Sequence, residues 1–257
     1  MNSNIIKKQT IIHTKDLCKS YILGKNGINV LKNINLEIYA GDFTVIMGSS
    51  GGGKSTLLYS ISSMDRPTSG SVSILGNEVT KMSEKELTAF RKSQISFIFQ
   101  SMNLLNDLTA FENIAYIGYN SAPKADVNKR TLELLDAFGL REQKDKYPSE
   151  LSGGQQQRIA ICRALISNSK IIFGDEPTGA LNSSAGRQVL DTLSELNKDG
   201  QSIVMVTHDL KAATRASRLL YMSDGRILAE LNLGRYEAEQ EADRKATVYE
   251  FLKQQGW

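Results

Sequence analysis

The sequence predicts an α/β fold built on a parallel sheet, with an antiparallel β-layer at its front and a block of helices inserted between two core strands. Three observations carry this. Short, continuous β-branched runs alternate with helical patterns, as parallel βαβ units do. Residues 10–39 and 71–80 instead alternate apolar and polar positions, the pattern of an antiparallel sheet with one wet face. Residues 101–168 are mostly helical in pattern and interrupt the parallel series.

The elements follow in order. The front holds TIIHTKDLCKSYI and VLKNINLEIYA, and SVSILGNEVT (71–80) continues the same layer. DFTVIM (42–47), ISFIF (95–99), KIIFG (170–174) and SIVMVT (202–207) read as buried core strands. SEKELTAFRKS (83–93) opens with Ser83 and Glu86 at capping-box spacing, so a helix begins there. In ADVNKRTLELLDAFG (125–139), Val127, Leu132, Leu135 and Phe138 form a packing stripe at helical spacing. Asp224-Gly225, between the apolar runs of LLYMSDGRILAEL (219–231), signals a hairpin. From Gly234 onward the chain is charged and helical in pattern, and Phe251, Leu252 and Trp257 are expected to dock it on the body. The expected organisation is one unit over 10–232, its core and β-layer from 10–100 and 169–232, its helical block from 101–168, and a helical tail over 233–257.

Composition narrows the function classes. A chain of 257 residues with 40% apolar and 23% charged residues can bury a sizeable core. Its 31 basic and 28 acidic residues leave a net charge of +3, too slight and too evenly spread to argue for nucleic acid. Cys18 and Cys162 lie far apart and rule against a disulfide framework. With only His13 and His208 beside them, they supply too few ligands for a Cys/His metal site, and both read as core fillers in a reducing compartment. There is no run of 18 apolar residues, and MNSNIIKKQT lacks a signal-peptide core, so the protein is expected to begin in the cytoplasm.

The chemistry lies in three stretches. GSSGGGKST (48–56) fits G-x-x-x-x-G-K-[ST], follows a buried strand and precedes a helical run. Gly48, Gly51, Gly52 and Gly53 free the backbone so that the N–H groups of Ser49, Ser50 and their neighbours turn inward as a phosphate cradle. Lys54 supplies a point charge for the outer phosphates, Ser55 a hydroxyl for Mg²⁺, and the helix opening at Lys54–Thr56 a favourable dipole. KIIFGDEP (170–177) carries Asp175 to the C-terminal edge of the sheet, where it would hold Mg²⁺ through water. Glu176, next to it, would polarise an attacking water. LSGGQQQR (151–158) sets Ser152 and Gln155 at capping-box spacing, with Gly153 and Gly154 exposing N–H groups at the helix start. That is a second anion site. Either both ends grip one nucleotide, or they belong to different nucleotides shared between two chains.

With these residues in view the chain resembles the ATP-binding cassette ATPases, the motor subunits of ABC transporters, over roughly residues 10–230. GSSGGGKST looks like that family's Walker A, LSGGQQQR its signature and IIFGDEP its Walker B. Gln100 ends FIFQ where the family has its Q-loop glutamine, His208 in VTHD matches the switch histidine, and Tyr21 in KSY lies where the family stacks an aromatic on adenine. The resemblance implies a P-loop NTPase fold with a RecA-like parallel core, and ATP and Mg²⁺ as ligands. Lys54, Gln100, Glu176 and His208 would be catalytic, and Ser55, Gln100 and Asp175 would serve the metal. It also answers the open question: two copies pack head to tail, so Ser152, Gly153, Gly154 and Gln155 would meet the γ-phosphate held by the partner copy. One position departs. TGALN (178–182) ends in Asn182 where the family usually has aspartate; the amide keeps an acceptor, gains a donor and loses the charge.

Finer likeness points to the lipoprotein-release and macrolide-exporter group, through residues 88–114 and 145–158. Within it, FRK, SSMD and TGALN look like the Gram-positive antimicrobial-peptide transporters of the bacitracin-resistance type. That implies a peripheral protein on the cytoplasmic face of a bacterial membrane, working on a transmembrane permease that is another polypeptide. SMNLLNDLTAFENI (101–114) would help form the groove that receives it. A soluble cassette ATPase acting on DNA or ribosomes is the alternative. The long coiled-coil insertion, tandem second cassette and basic stripe of such proteins are all missing from this sequence.

Overall fold

The structure is a computed structural model that describes residues 8–24 and 26–257. In chain order, β1 (Thr10–Leu23) and β2 (Asn26–Tyr39) lead to β3 (Phe43–Gly48) and α1 (Lys54–Ile61). Next come β4 (Ser69–Ile74), β5 (Asn77–Glu78), α2 (Glu84–Gln94) and β6 (Ile95–Ile98). Three helices follow, α3 (Ala110–Gly118), α4 (Lys124–Ala137) and α5 (Gly153–Leu165). The chain then runs through β7 (Ile171–Asp175), α6 (Ser183–Lys198), β8 (Ser202–Val206), α7 (Leu210–Thr214), β9 (Arg218–Ser223), β10 (Arg226–Asn232) and α8 (Glu241–Gln254).

The strands sort into two sheets. An antiparallel sheet runs β2-β1-β4-β5, and a six-stranded sheet runs β10-β9-β3-β8-β7-β6 with only β10 antiparallel. This is the α/β architecture the alternation of patterns predicts. Strands β3, β7 and β8 are buried along their whole length, which is why they read as continuous apolar runs. Strand β2 instead buries Leu31, Ile34, Leu36 and Ile38 and exposes the residues between the last three. The step from Leu31 to Ile34 breaks the period of two. A register shift falls there, where Asn33 takes φ 50°, a bulge that returns the apolar side chains to one face.

The parallel sheet separates two cores. Phe43, Val45 and Met47 point into one with α3–α6 side chains such as Leu135, Phe138, Ile159 and Leu193. Ile46 points into the other, with Leu57, Leu58 and Phe173 under the antiparallel layer. Expected local signals appear as stated. Ser83 and Glu86 close a capping box on α2, and Asp224 (φ 49°) and Gly225 (φ 76°) form the turn between β9 and β10 with both residues left-handed, as a two-residue type I′ hairpin requires. In α4, Val127 and Leu135 are buried and Leu132 is partly buried against the core; Phe138, just past the helix end, is buried.

Register positions the site. Val206 at the end of β8 lies opposite both Ile46 of β3 and Asp175 of β7, so β7 and β8 end at one level and β3 runs two residues further on the same side. Their C-terminal loops therefore open onto a single crevice, the place where α/β sheets bind ligands.

Candidate active site

The loop after β3 is a backbone cradle. At Gly48 (φ 147°) a Cβ would lie 1.7 Å from the Met222 carbonyl oxygen, so no side chain fits between β3 and β9. Gly53 (φ 96°) stands at the start of α1, with no side chain capping that helix and no acidic residue in its first turn. The N–H groups there are left for an outside anion. The Lys54 ammonium donates to the Ser49 carbonyl (2.8 Å) and the Gly48 carbonyl (3.1 Å), holding the charge across the loop mouth. Burial pushes its pKa below the ordinary lysine value, against the opposing pull of Glu176 and Asp175. A neighbour not foreseen from the sequence props this loop. The Gly225 N–H at the hairpin tip donates to the Gly52 carbonyl (3.1 Å), and the Gly225 carbonyl accepts from Lys32 N–H (3.0 Å).

Asp175 ends β7 buried, and its Oδ1 accepts from the Ser55 hydroxyl at 2.9 Å, joining the two loops across the crevice. One turn further along α1, Tyr59 faces the same carboxylate. Burial first, and a hydrogen bond to Asp175 second, push its phenol up to about 12, while its ring stacks on Phe97 at 5.4 Å. Tyr59 was not singled out by any motif; its spacing of four from Ser55 is the available signal.

Glu176 takes φ 47°, a left-handed conformation that costs a non-glycine residue of order 1–3 kcal/mol. The turn aims its carboxylate back at the end of β8. Oε2 accepts from the Thr207 hydroxyl (3.1 Å) and the His208 N–H (3.4 Å), and Oε1 lies 2.8 Å from His208 Nδ1. With Glu176 ionised, Nδ1 must carry the hydrogen, which leaves Nε2 as the outward nitrogen of an exposed ring. Ser49, Ser50, Lys54, Glu176 and His208 line one cavity of about 470 Å³, with Gly256 and Trp257 as further walls. The tail was expected to dock through Phe251, Leu252 and Trp257. Leu252 is buried and Phe251 partly so, but Trp257 stays 46% exposed and stands beside the phosphate loop instead.

The other expected residues are not among the walls of this cavity. Tyr21 is pinned by its hydroxyl, which donates to Asp65 at 2.7 Å, while the Lys19 ammonium sits 5.0 Å from its ring centre; 40% of the residue remains exposed. Gln100 is exposed just past β6. Ser152 caps α5 in a capping box with Gln155 (2.9 and 3.3 Å), as its spacing predicts. Gly153 and Gly154 neighbour Met102 and Leu181, not the cradle. Asn182 caps α6, its Oδ1 accepting from Ala185 N–H and the Ser184 hydroxyl, each at 2.9 Å.

Comparison with known proteins agrees with this geometry. The ABC transporter family model matches residues 31–179. The chain is 42% identical to the bacitracin export ATP-binding protein BceA of Halalkalibacterium halodurans over 96% of both chains. It is 43% identical to the macrolide export ATP-binding/permease protein MacB of Bartonella henselae over 86% of this chain and 34% of that one. The chain thus spans about a third of the length of the macrolide-export relatives it matches. Among solved structures it is similar to a dimeric bacterial ABC transporter cassette, MJ0796, with 40% identity and a TM-score of 0.84 over 88% of this chain and 100% of that one. The same cassette has been solved as a dimer in a post-hydrolysis state with ADP and phosphate.

Proposed function

The chain belongs to the ABC transporter family, and on that premise we propose that it is an ATP-binding and ATP-hydrolysing subunit that pairs with a second copy and drives a separate membrane permease in antimicrobial-peptide export or resistance. The observation that carries this reading is the meeting of Lys54, the Ser55–Asp175 pair and the Glu176–His208 pair at the neighbouring C-terminal ends of β3, β7 and β8.

In this reading the loop 48–56 cradles the phosphates and Lys54 neutralises the outermost. Ser55, Asp175 and Gln100 serve Mg²⁺; the hard oxygens of Ser55 and Asp175, 2.9 Å apart, suit that cation. Bound there, Mg²⁺ would screen charge on the β- and γ-phosphates. Glu176 accepts a proton from the attacking water, and its bonds to Thr207 and His208 hold its carboxylate toward the crevice. His208 then presents Nε2 to the γ-phosphate. Tyr21 offers its open face to adenine, the other side being occupied by Lys19.

Ser152, Gly153, Gly154 and Gln155 act on the partner copy's nucleotide. The capping box uses the N–H groups of Ser152 and Gln155, while those of Gly153 and Gly154 meet no acceptor among the described residues. Two anion-ready helix starts that do not touch within one chain suit a nucleotide clamped between two. The permease would seat on a cavity of about 640 Å³ whose lining includes Phe97, Phe99, Leu105, Tyr116 and Ile117. Among the described residues no helix is long and apolar enough to cross a membrane. The end-to-end match to an export ATP-binding protein supports a permease on another chain, at the cytoplasmic face of a bacterial membrane.

The test is Glu176→Gln. Turnover is expected to fall about 10²–10⁴-fold, as when a general base is lost. ATP affinity is retained, and a dimer appears on gel filtration with ATP. Unchanged turnover, or a monomer at saturating ATP, refutes the reading.

A further inference from the structure

The tail is held in place by a buried cation. Arg244 of α8 donates to the carbonyls of Thr214 and Leu233 (both 2.9 Å), of Arg235 and Gly234 (both 3.3 Å) and of Ala216. The ring of Tyr236 is approached by its guanidinium (5.5 Å) and by that of Arg215 (4.3 Å). Val248 and Leu252 are fully buried. The helix therefore cannot swing freely, and its end is aimed.

That end is a built turn. Gly256 is left-handed (φ 80°), its N–H donates to the Lys253 carbonyl at 3.1 Å, and the Trp257 N–H donates to the Leu252 carbonyl at 3.1 Å. This pair of bonds is the Schellman arrangement, which closes a helix and turns the next residue across its end. Trp257 is turned into the mouth of the cavity walled by Ser49, Ser50, Lys54, Glu176 and His208. It is covered only in part, remaining 46% exposed. An indole held at a polar crevice by a well-anchored helix calls for a role other than core packing.

We propose that Trp257 is a plug that the chain carries on its own nucleotide site, and that ATP-driven pairing must displace it. The proposal rests on the two-copy reading above, in which Ser152–Gly154 of a second copy approach the face of the phosphate loop and His208. Indole and partner would compete for one space. Anchoring at Arg244 and release at Gly256 divide the labour: the helix stays docked while the residue after the glycine turns out.

The chain has a single tryptophan, so its emission reads this position alone. In the Glu176→Gln chain, iodide quenching of that emission is expected to rise as ATP and Mg²⁺ drive pairing, followed in parallel by light scattering. Trp257→Ala in the same background should pair at lower protein concentration. A plug seated half the time removes about half of each copy from the competent pool, so the pairing constant should tighten about fourfold for two copies. Trp257→Phe, which keeps a ring at the mouth, should fall between the two. Pairing that is unchanged or weaker in Trp257→Ala, or quenching that stays constant across the pairing transition, overturns the plug and leaves the two-copy reading standing. If no variant pairs with ATP, the clamp itself is wrong and the plug falls with it.

Discussion

Asn182 offers a clean perturbation because its work in the structure is countable. Its Oδ1 takes the Ala185 N–H and the Ser184 hydroxyl, while its amide nitrogen donates to nothing among the described residues. Replacing it by alanine removes an N-cap, which costs about 1 kcal/mol. For a chain of this size that lowers Tm by about 2–4 °C. Replacement by aspartate keeps the acceptor, loses no bond and adds a negative charge at the N-terminus of a 16-residue helix. The helix dipole makes that worth about 0.3–1 kcal/mol. Arg187, Lys211 and Arg215 line the same hollow as Asn182, but so do Asp209 and Glu241, and Arg187 and Arg215 already pair with Glu241 and Asp191, so the hollow adds little to the dipole term. Asn182→Asp should therefore melt about 1–3 °C above the parent by differential scanning fluorimetry. An aspartate variant that melts below the parent, or an alanine variant that melts with it, refutes the capping argument. The same two proteins test function: the ATPase rate of Asn182→Asp should change while ATP affinity holds, and an identical rate would make the departure neutral.

Two further outcomes follow from geometry and charge. Gly48→Ala should cost more than Gly51→Ala, since both glycines have positive φ but a Cβ at Gly48 meets the Met222 carbonyl at 1.7 Å, whereas nothing lies within 4 Å of one at Gly51. Thermal melts and nucleotide binding of the pair check this, and equal losses would count against a cradle packed on β9. Glu230 is held below the usual carboxylate value of 4.5, first by its hydrogen bond to Arg218, against the upward push of burial. Its contribution to stability is then fully present above about pH 4.5 and lost as pH falls through its folded pKa. Comparing Tm against pH for the parent and Glu230→Gln checks the sign: the gap should close on acidification.

What could be read from the sequence was local or periodic. The capping boxes of α2 and α5 rest on residues three apart, and a third at Thr109 and Glu112 of α3 carried the same signal unread. The buried strands were legible because both of their faces are covered, and the Asp224-Gly225 turn because few other residue pairs tolerate two left-handed positions. What stayed hidden depends on contacts between distant segments. Nothing near Glu176 marks its left-handed backbone, and its N–H donates to the carbonyl of Val206, thirty residues away. The hairpin tip reaches the phosphate loop across more than 170 residues, with Gly225 on Gly52. Trp257 looked like a docking residue because apolar side chains usually are; the turn at Gly256 sends it elsewhere. Sheet register decides such meetings, and no short motif encodes it.

The separation of the two anion-ready helix starts permits a test that no single substitution can match. Lys54→Ala removes the ammonium at the cradle and is expected to lose ATP binding there. Gly154→Asp sets a carboxylate at the start of α5; the new Cβ meets only Leu181, at an ordinary 3.6 Å, so the fold should tolerate it. If one nucleotide were served by both ends of the same chain, each variant would be inactive and a mixture of the two would stay inactive. If it is served by the cradle of one copy and the α5 start of the other, a mixed pair has one site with both lesions and one with neither. Random pairing at equal amounts makes half of all pairs mixed. With independent sites, the mixture then recovers about a quarter of the parent's ATPase rate, from two proteins that show almost none apart. Strict dependence of one site on the other would lower that figure toward zero without restoring ATP-dependent pairing to either variant alone, so pairing in the mixture is measured beside the rate. A mixture that neither pairs nor turns over ATP removes the shared site, because two lesions in separate chains would then behave as two lesions in one.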